Sequence, residues 1–267
     1  MSRAGRVLVL GGTGFVGSAI AAEAQRRGWR TWAVGSRDVA TIELGEYDVV
    51  INADGNSRKY LAAEQPMEDF DRSVRTVATS LHTIRCRHYI LISSSEVYPF
   101  PEDPSRNAED APIDPSRLSP YGVHKFLAEI LVQRFAPRWG ILRLSGLVGP
   151  RLKKNAIFDL LTGAPLHVHP DSAFQFLDTR RLAAMLFELL EEGALNHAVF
   201  NCGGVGTVTV RQVAEWIGRP IPPEADTRPR VRCELNLARL AARVTIPATV
   251  ETVRAFVSEW RRGERTS

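Results

Sequence analysis

Little in this chain can crosslink it or carry it through a membrane. Its three cysteines, Cys86, Cys202 and Cys233, are odd in number and far apart. That excludes a disulfide framework and a paired-thiol metal site, no metal being expected, and it fits a reducing cytoplasm as the location. No apolar run approaches the about 18 residues that a membrane helix needs. Met1–Leu10 is soon interrupted by glycines and reads as a first strand, not as a signal peptide. Lysine is scarce. Lys59, Lys125, Lys153 and Lys154 are four of 34 Lys+Arg, which leaves 30 arginines. Against 30 acidic residues the net charge is +4, too small and too evenly spread for a nucleic-acid surface. The remaining composition, 44% hydrophobic and 24% charged over 267 residues, is that of a soluble globular protein. The length suits one large α/β domain, or one domain with a small lobe, and needs no staple to bury a core.

The first thirty residues carry the most pattern. Arg6–Leu10 (RVLVL) is a short apolar run of the kind found in buried parallel strands. The glycine turn GGTGFVG follows at Gly11–Gly17, then SAIAAEAQRRG reads as a helix ended by Gly28. Trp29–Val34 is a second strand. The alternation continues with a strand at Tyr47–Ala53, a helix over Pro66–Cys86 and a strand at His88–Ser93. Pro99–Ser119 is a polar loop. Pro120–Phe135 is a helix with Ser119 as its N-cap and Pro120 at its first position. Trp139–Leu144 is the next strand. Strands alternating with helices predict a doubly wound parallel sheet. Beyond Gly149 the pattern loosens. A helix is expected at Asn155–Thr162, a strand at Leu166–His169, helices at Arg180–Glu192 and Thr209–Ile217, and a strand at Ala198–Asn201. The last helices end near Trp260. The pattern thus divides the chain near residue 150.

The glycines Gly11, Gly14 and Gly17 stand where a strand becomes a helix. A phosphate approaches a helix start only where side chains are absent, and free N–H groups and the helix dipole then hold it. A strand before the turn, a helix after it and a second strand at Trp29 make this a dinucleotide-binding fingerprint. NAD proteins place an acid at the tip of the second strand to hold the ribose hydroxyl. Here Ser36 and Arg37 occupy the tip, and a guanidinium binds a 2′-phosphate, so NADP(H) is expected over NAD(H). The alternative is a solvated arginine, with Asp38 taking the ribose. Tyr121 and Lys125 lie four apart on one predicted helix and share a face. A tyrosine is too weak an acid to exchange protons near neutral pH unless a neighbouring cation favours its phenolate. Ser93, Ser94 and Ser95 close a predicted central strand, at the end where open α/β sheets bind ligands.

With these motifs in place, the chain resembles the extended short-chain dehydrogenase/reductases, the NAD-dependent epimerase/dehydratase group. The matching segments are GGTGFVG (11–17), DVVINA (48–53), SSSEVY (93–98), SPYGVHK (119–125) and LRLSGLVGP (142–150). FQFLDTRRLA (174–183) and NCGG with TVRQVAEWI (201–217) match more loosely. The resemblance implies a dinucleotide-binding Rossmann-like domain over 1–150 and, over 151–267, mostly a small discontinuous C-terminal substrate lobe with parts returning to the first domain. It also implies a nicotinamide cofactor, and Ser94, Tyr121 and Lys125 as the catalytic set. It implies cofactor contacts from Gly11, Thr13, Gly14, Phe15, Val16, Gly17, Ser36, Arg37, Asn52, Ala53, Asp54, Lys125 and Leu144. Substrate contacts are expected from Ser95, Glu96, Ser145, Gly146 and Arg151. Several positions depart from the family pattern: Gly146 stands where nucleotide-sugar members usually carry Asn, Ser73 where a helix Asn is usual, the pair Asp54 and Gly55 where small residues are usual, and Arg180 and Arg181 where relatives often have Asp. Glu96 matches an acid that dehydratases use as a second acid/base. An alternative role for it is ordering its loop.

The chemistry these residues predict is hydride transfer between NAD(P) and a polar, sugar-like or nucleotide-sugar substrate, with tyrosine as acid/base. A cofactor-recycling epimerase, dehydratase or decarboxylase is the alternative, and a non-catalytic dinucleotide sensor or scaffold a second. The expected partner is a small molecule, with no nucleic acid or membrane and a homodimer as the assembly.

Overall fold

The computed structural model describes residues 5–35, 45–56 and 59–263. Its centre is a six-stranded, wholly parallel sheet in the order β2-β1-β3-β4-β5-β9. The strands are β1 (Arg6–Leu10), β2 (Arg30–Val34), β3 (Glu46–Asn52), β4 (Arg85–Ser94), β5 (Trp139–Leu144) and β9 (Ala198–Cys202). Alternate side chains serve two cores, as a sheet covered on both faces requires. Val7, Val9, Ile51 and Ile90 pack against Ile20 and Ala24 of α1 (Phe15–Arg26) and Leu182 and Leu186 of α7 (Thr179–Glu191). Leu8, Leu10, Val50 and Leu91 face Val77 of α4 (Thr76–Thr83) and Ala128 and Val132 of α5 (Pro120–Phe135). The chain runs from β1 out to β2 and returns past β1 to β3, so the strand order reverses between β1 and β3, which is the doubly wound arrangement expected.

The helical stretch after β3 is broken up. α2 (Lys59–Glu64), which the sequence pattern does not predict, is followed by α3 (Pro66–Phe70), a π turn at Asp71–Arg75, and α4. The helix expected to reach Cys86 stops at Thr83. Ile84 turns extended, and Arg85 and Cys86 pair with Glu46 and Tyr47 of β3. α5 spans the expected residues, and Ser119 caps it by accepting the Gly122 N–H at 3.1 Å.

A third core lies beyond the sheet. It is built from Val148, Ile157, Phe176, Val213, Val253 and Phe256, among others. These belong to β6 (Gly146–Val148), α6 (Ala156–Thr162), β8 (Phe176–Asp178), α8 (Val210–Ile217) and α10 (Thr249–Arg261). β6 pairs with β8, and β7 (Ala173–Phe174) sits between β10 (Val208–Thr209) and β11 (Arg232–Cys233). α9 (Ala238–Ala241) returns to the main core through Leu240. α8 carries a complete capping box between Thr209 and Gln212 and ends on left-handed Gly218, as its sequence predicts.

The strand expected at Leu166–His169 does not form. Pro165 and Pro170 bracket it, and the segment buries Leu166 without joining a sheet. With no strand there, strand alternation does not set His167 and His169 on one face. His169 instead lies against Asp171 and Asp226, at 3.7 and 3.8 Å.

Candidate active site

The glycine turn is shaped by close approach. A Cβ on Gly17 would stand 2.1 Å from the Gly11 carbonyl oxygen, and one on Gly11 would stand 2.7 Å from the Asp54 backbone nitrogen. Gly11 also needs a positive φ of 69°. Gly14, the N-cap of α1, offers no side-chain cap, so the first N–H groups of that helix point outward from a surface without side chains. The cradle therefore fits a dinucleotide pyrophosphate. Arg151 extends it. The arginine sits at φ 68° in the turn after β6, and its Nη1 donates to the Thr13 carbonyl at 3.2 Å. That puts Arg151, expected from the sequence as a substrate contact, against the glycine turn.

Sheet and helix bring the three expected catalytic residues together. Ser94 ends β4 opposite Leu144, and its hydroxyl accepts the Glu96 N–H at 3.2 Å, capping a single turn at Ser95–Val97. The Tyr121 phenol lies beside the Ser94 side chain, which favours its ionisation. Burial, with the nearby negative charges of Glu96 and Asp69, holds that phenol far above the usual tyrosine range. It is thus a neutral acid with a proton to give. Lys125, one turn on, is 6% exposed, and its Nζ donates to the Ile92 carbonyl at 2.9 Å. Burial lowers its ammonium to about 8, against the pull of Glu129, Asp69 and Asp54. Glu96 forms an ion pair with Lys59 of α2. Ser95 is buried, with its hydroxyl 3.6 Å from the Cys233 thiol of β11.

Behind these groups lies a buried polar network that sequence reasoning missed. Ser93 donates to Glu129 at 2.5 Å, and Arg143 clasps the same carboxylate through Nη2 at 2.7 Å and Nε at 3.1 Å. Arg143 Nη1 donates to the Tyr98 hydroxyl at 2.7 Å, and Tyr98 donates to Asn201 at 2.8 Å. Charges this deep are tolerated only when paired and hydrogen-bonded. The signal was available. Glu129 repeats the four-residue spacing of Tyr121 and Lys125, and Arg143 is a charge inside an otherwise apolar strand.

The other expected residues divide. Asn52 is buried with its amide turned inward: Nδ2 donates to the Tyr89 hydroxyl at 2.7 Å, and Oδ1 accepts the Asp54 N–H at 2.9 Å. Its side chain thus orders the turn, while Ala53 and Asp54 border the glycine loop. Phe15 and Val16 open α1, and Leu144 ends β5. Ser145 follows, with its N–H on the Cys202 carbonyl at 2.9 Å. At Gly146 a Cβ would meet the Gln175 carbonyl oxygen at 2.7 Å, so no larger residue fits there. Ser36 and Arg37 lie outside the described residues. Among the described residues no three His, Cys, Asp or Glu side chains group to hold a metal ion, and no helix is long and apolar enough to cross a membrane.

The profile of the NAD dependent epimerase/dehydratase family matches residues 7–203, well over half of the chain and all of this site up to β9. The chain belongs to that family. Solved structures agree in fold. A UDP-galactose 4-epimerase superposes with a TM-score of 0.76 at 20% identity, covering 97% of this chain and 99% of that one. The dTDP-4-dehydrorhamnose reductase of Bacillus anthracis str. Ames, solved with NADP, gives 0.76 at 15% identity over 97% and 99%. TunA, described as an NAD-dependent NDP-hexosamine 5,6-dehydratase, gives 0.76 at 18% identity over 97% and 98%. No curated protein matches this family member in sequence.

Proposed function

We propose that the protein is an NADP(H)-dependent oxidoreductase that interconverts a carbonyl and a secondary alcohol on a polar substrate, sugar-like or nucleotide-linked. One observation carries the reading: Ser94 and Tyr121 lie side by side at the carboxyl edge of the sheet, with buried Lys125 one turn on along α5. The nicotinamide, when bound, supplies or accepts the hydride. In reduction Tyr121 gives its proton to the carbonyl oxygen while Ser94 holds that oxygen by a second hydrogen bond. Lys125 lends positive charge to the phenolate left behind and reaches the cofactor ribose. Gly11, Gly14 and Gly17 cradle the pyrophosphate, with Arg151 beside them. Arg37 supports NADP(H) over NAD(H), because its guanidinium suits a 2′-phosphate. Residues 151–267 supply most of the substrate lobe. Three unpaired thiols agree with a cytoplasmic location. Leu127, Ile130 and Phe135, exposed along α5, suit a homodimer.

The test is a coupled binding and turnover measurement. NADPH consumption is followed over nucleotide-linked keto sugars and free aldoses, with the wild type and Tyr121→Phe. The expected result is stoichiometric NADPH loss with one substrate, abolished in Tyr121→Phe, whose NADPH affinity stays that of the wild type. Full activity in the variant sinks the mechanism. A second reading is favoured by Glu96, whose charge acts directly on the Tyr121 phenol. It makes the protein a cofactor-recycling epimerase, dehydratase or decarboxylase with Glu96 as second acid/base, and it predicts product without net NADPH change. Tight NADPH binding without any turnover would leave a sensor or scaffold.

A further inference from the structure

His124 sits on α5 between Tyr121 and Lys125, and the reaction above gives it no part. Its Nδ1 lies 2.6 Å from Oδ2 of Asp69, on α3. Asp69 has no exposed surface. Its other oxygen accepts from Asn56 Nδ2 at 2.6 Å and from Ser73 Oγ at 3.4 Å. A carboxylate only accepts, so Nδ1 of His124 carries a hydrogen and Nε2 is the nitrogen that exchanges its proton. The edge of the ring meets Phe70 at 5.6 Å between centroids, and the side chain keeps 13% of its surface, enough for water to reach it.

The charge of this pair is felt at the candidate catalytic residues. Asp69 acts on both the Tyr121 phenol and the Lys125 ammonium. The remaining charges on the elements packed against this part of α5 are mostly matched. Lys59 pairs with Glu96, Arg72 with Glu68 and Arg75 with Asp71, while Glu64 is exposed. Asp54 lies half-buried near Lys125. His124 is the ionisable side chain in contact with Asp69.

We propose that His124, held by Asp69, is a positioning residue whose protonation sets the charge beside Tyr121 and so governs how readily the phenol releases its proton. The inference rests on the reading of Tyr121 as proton donor. With Nε2 unprotonated, the pair carries one negative charge, which opposes a phenolate. With Nε2 protonated, the pair is neutral and the phenol gives its proton more easily. A unit charge about 10 Å away, at an effective dielectric near 20, moves a neighbouring titration by about one pH unit. Carbonyl reduction is therefore faster once Nε2 is protonated.

Two measurements test this. Nitrogen NMR of histidine-labelled protein, with no substrate, assigns His124 by its loss in His124→Asn. The expected neutral ring carries its hydrogen on Nδ1. Its midpoint falls by about one pH unit or more in Asp69→Asn, and rises by about one in Lys125→Met, because coupling between sites is reciprocal. If Asp69→Asn fails to fold, the tautomer and the Lys125→Met shift decide. The second measurement is the pH profile of carbonyl reduction. His124→Asn keeps a donor toward Asp69 but cannot take up a proton. It is expected to lose the rise in kcat toward acid pH, with KM and NADPH affinity unchanged. An Nε2–H tautomer, an unmoved midpoint in Lys125→Met, or an unaltered pH profile in His124→Asn overturns the proposal. Absence of turnover with every carbonyl overturns the oxidoreductase reading instead. The NMR shifts then decide this inference by themselves, their presence supporting the coupling and their absence refuting it.

Discussion

At the scale of single residues, the site runs on groups held away from their ordinary ionisation. Lys125 is the clearest. Burial brings its amine to about 8, against 10.5 for the free side chain. A basic group depressed in this way opposes folding wherever the unfolded chain holds the proton more tightly than the folded one. The cost is full below pH 8. It fades as pH rises toward 10.5, where both states are neutral, so stability recovers across that window. Lys125→Met, which removes the ammonium but keeps the stem, is expected to be more stable than the wild type by up to about 3 kcal/mol at pH 7. The gain shrinks between pH 8 and 10.5, and turnover is lost. Denaturant midpoints at three pH values check it, and a gain that ignores pH refutes it. Lysine scarcity made this residue conspicuous in the sequence, because a chance lysine four residues after Tyr121 is improbable in a chain with four. Abundant arginine has the opposite effect at Arg37.

At the scale of elements, α5 is the part that assembles the site, and a glycine decides how closely it approaches. A Cβ on Gly122 would stand 2.2 Å from the Glu96 carbonyl oxygen, so the helix touches the Ser95–Val97 turn backbone to backbone. This contact sets the reach of Tyr121 to Ser94. Gly122→Ala pushes the helix off the turn and breaks that reach. The expected loss in kcat is roughly 100-fold, the scale of a displacement of about 1 Å at a reacting centre. On the proposed function, in which the glycine turn holds most of the cofactor and α5 adds Lys125 alone, affinity for NADPH should fall far less. Equal losses in both would show that the helix as a whole had failed. α5 was legible in the sequence from Ser119 to Phe135, since cap, proline and apolar spacing agree. The helices before β4 were less legible. The π turn at Asp71–Arg75 shifts the apolar phase, and Cys86 is drawn into β4 by pairing with β3.

At the scale of the whole molecule, the long loop after Tyr98 and the segment near Asn236 are clasped onto the sheet through Asn107. This residue is fully buried. Its Oδ1 accepts the Asn236 N–H at 2.8 Å, and its Nδ2 donates to the Glu234 carbonyl at 2.9 Å. Its carbonyl takes the Asn201 amide at 2.8 Å, joining both segments to β9. Asn107→Ala strips partners from the part-buried Glu234 carbonyl and Asn236 N–H, at a cost of at most about 1–3 kcal/mol for each group left bare. Faster cleavage within residues 98–118 under limited proteolysis, with a lower denaturant midpoint, is the expected outcome. Unchanged cleavage would show that the loop is held by other contacts.

The sequence by itself determined the parallel sheet, the glycine turn and the Tyr121–Lys125 spacing. Each is written in local periodicity: apolar runs, small residues at a strand–helix junction, a four-residue helical repeat. Tertiary structure decided what those patterns meet. Pairing drew Cys86 into β4 and left Leu166–His169 unpaired. Packing put Asp69 beneath His124, Arg151 on the glycine turn and Arg143 against Glu129, contacts between residues far apart along the chain. No local pattern encodes such meetings, because they depend on which faces the folded sheet and helices press together.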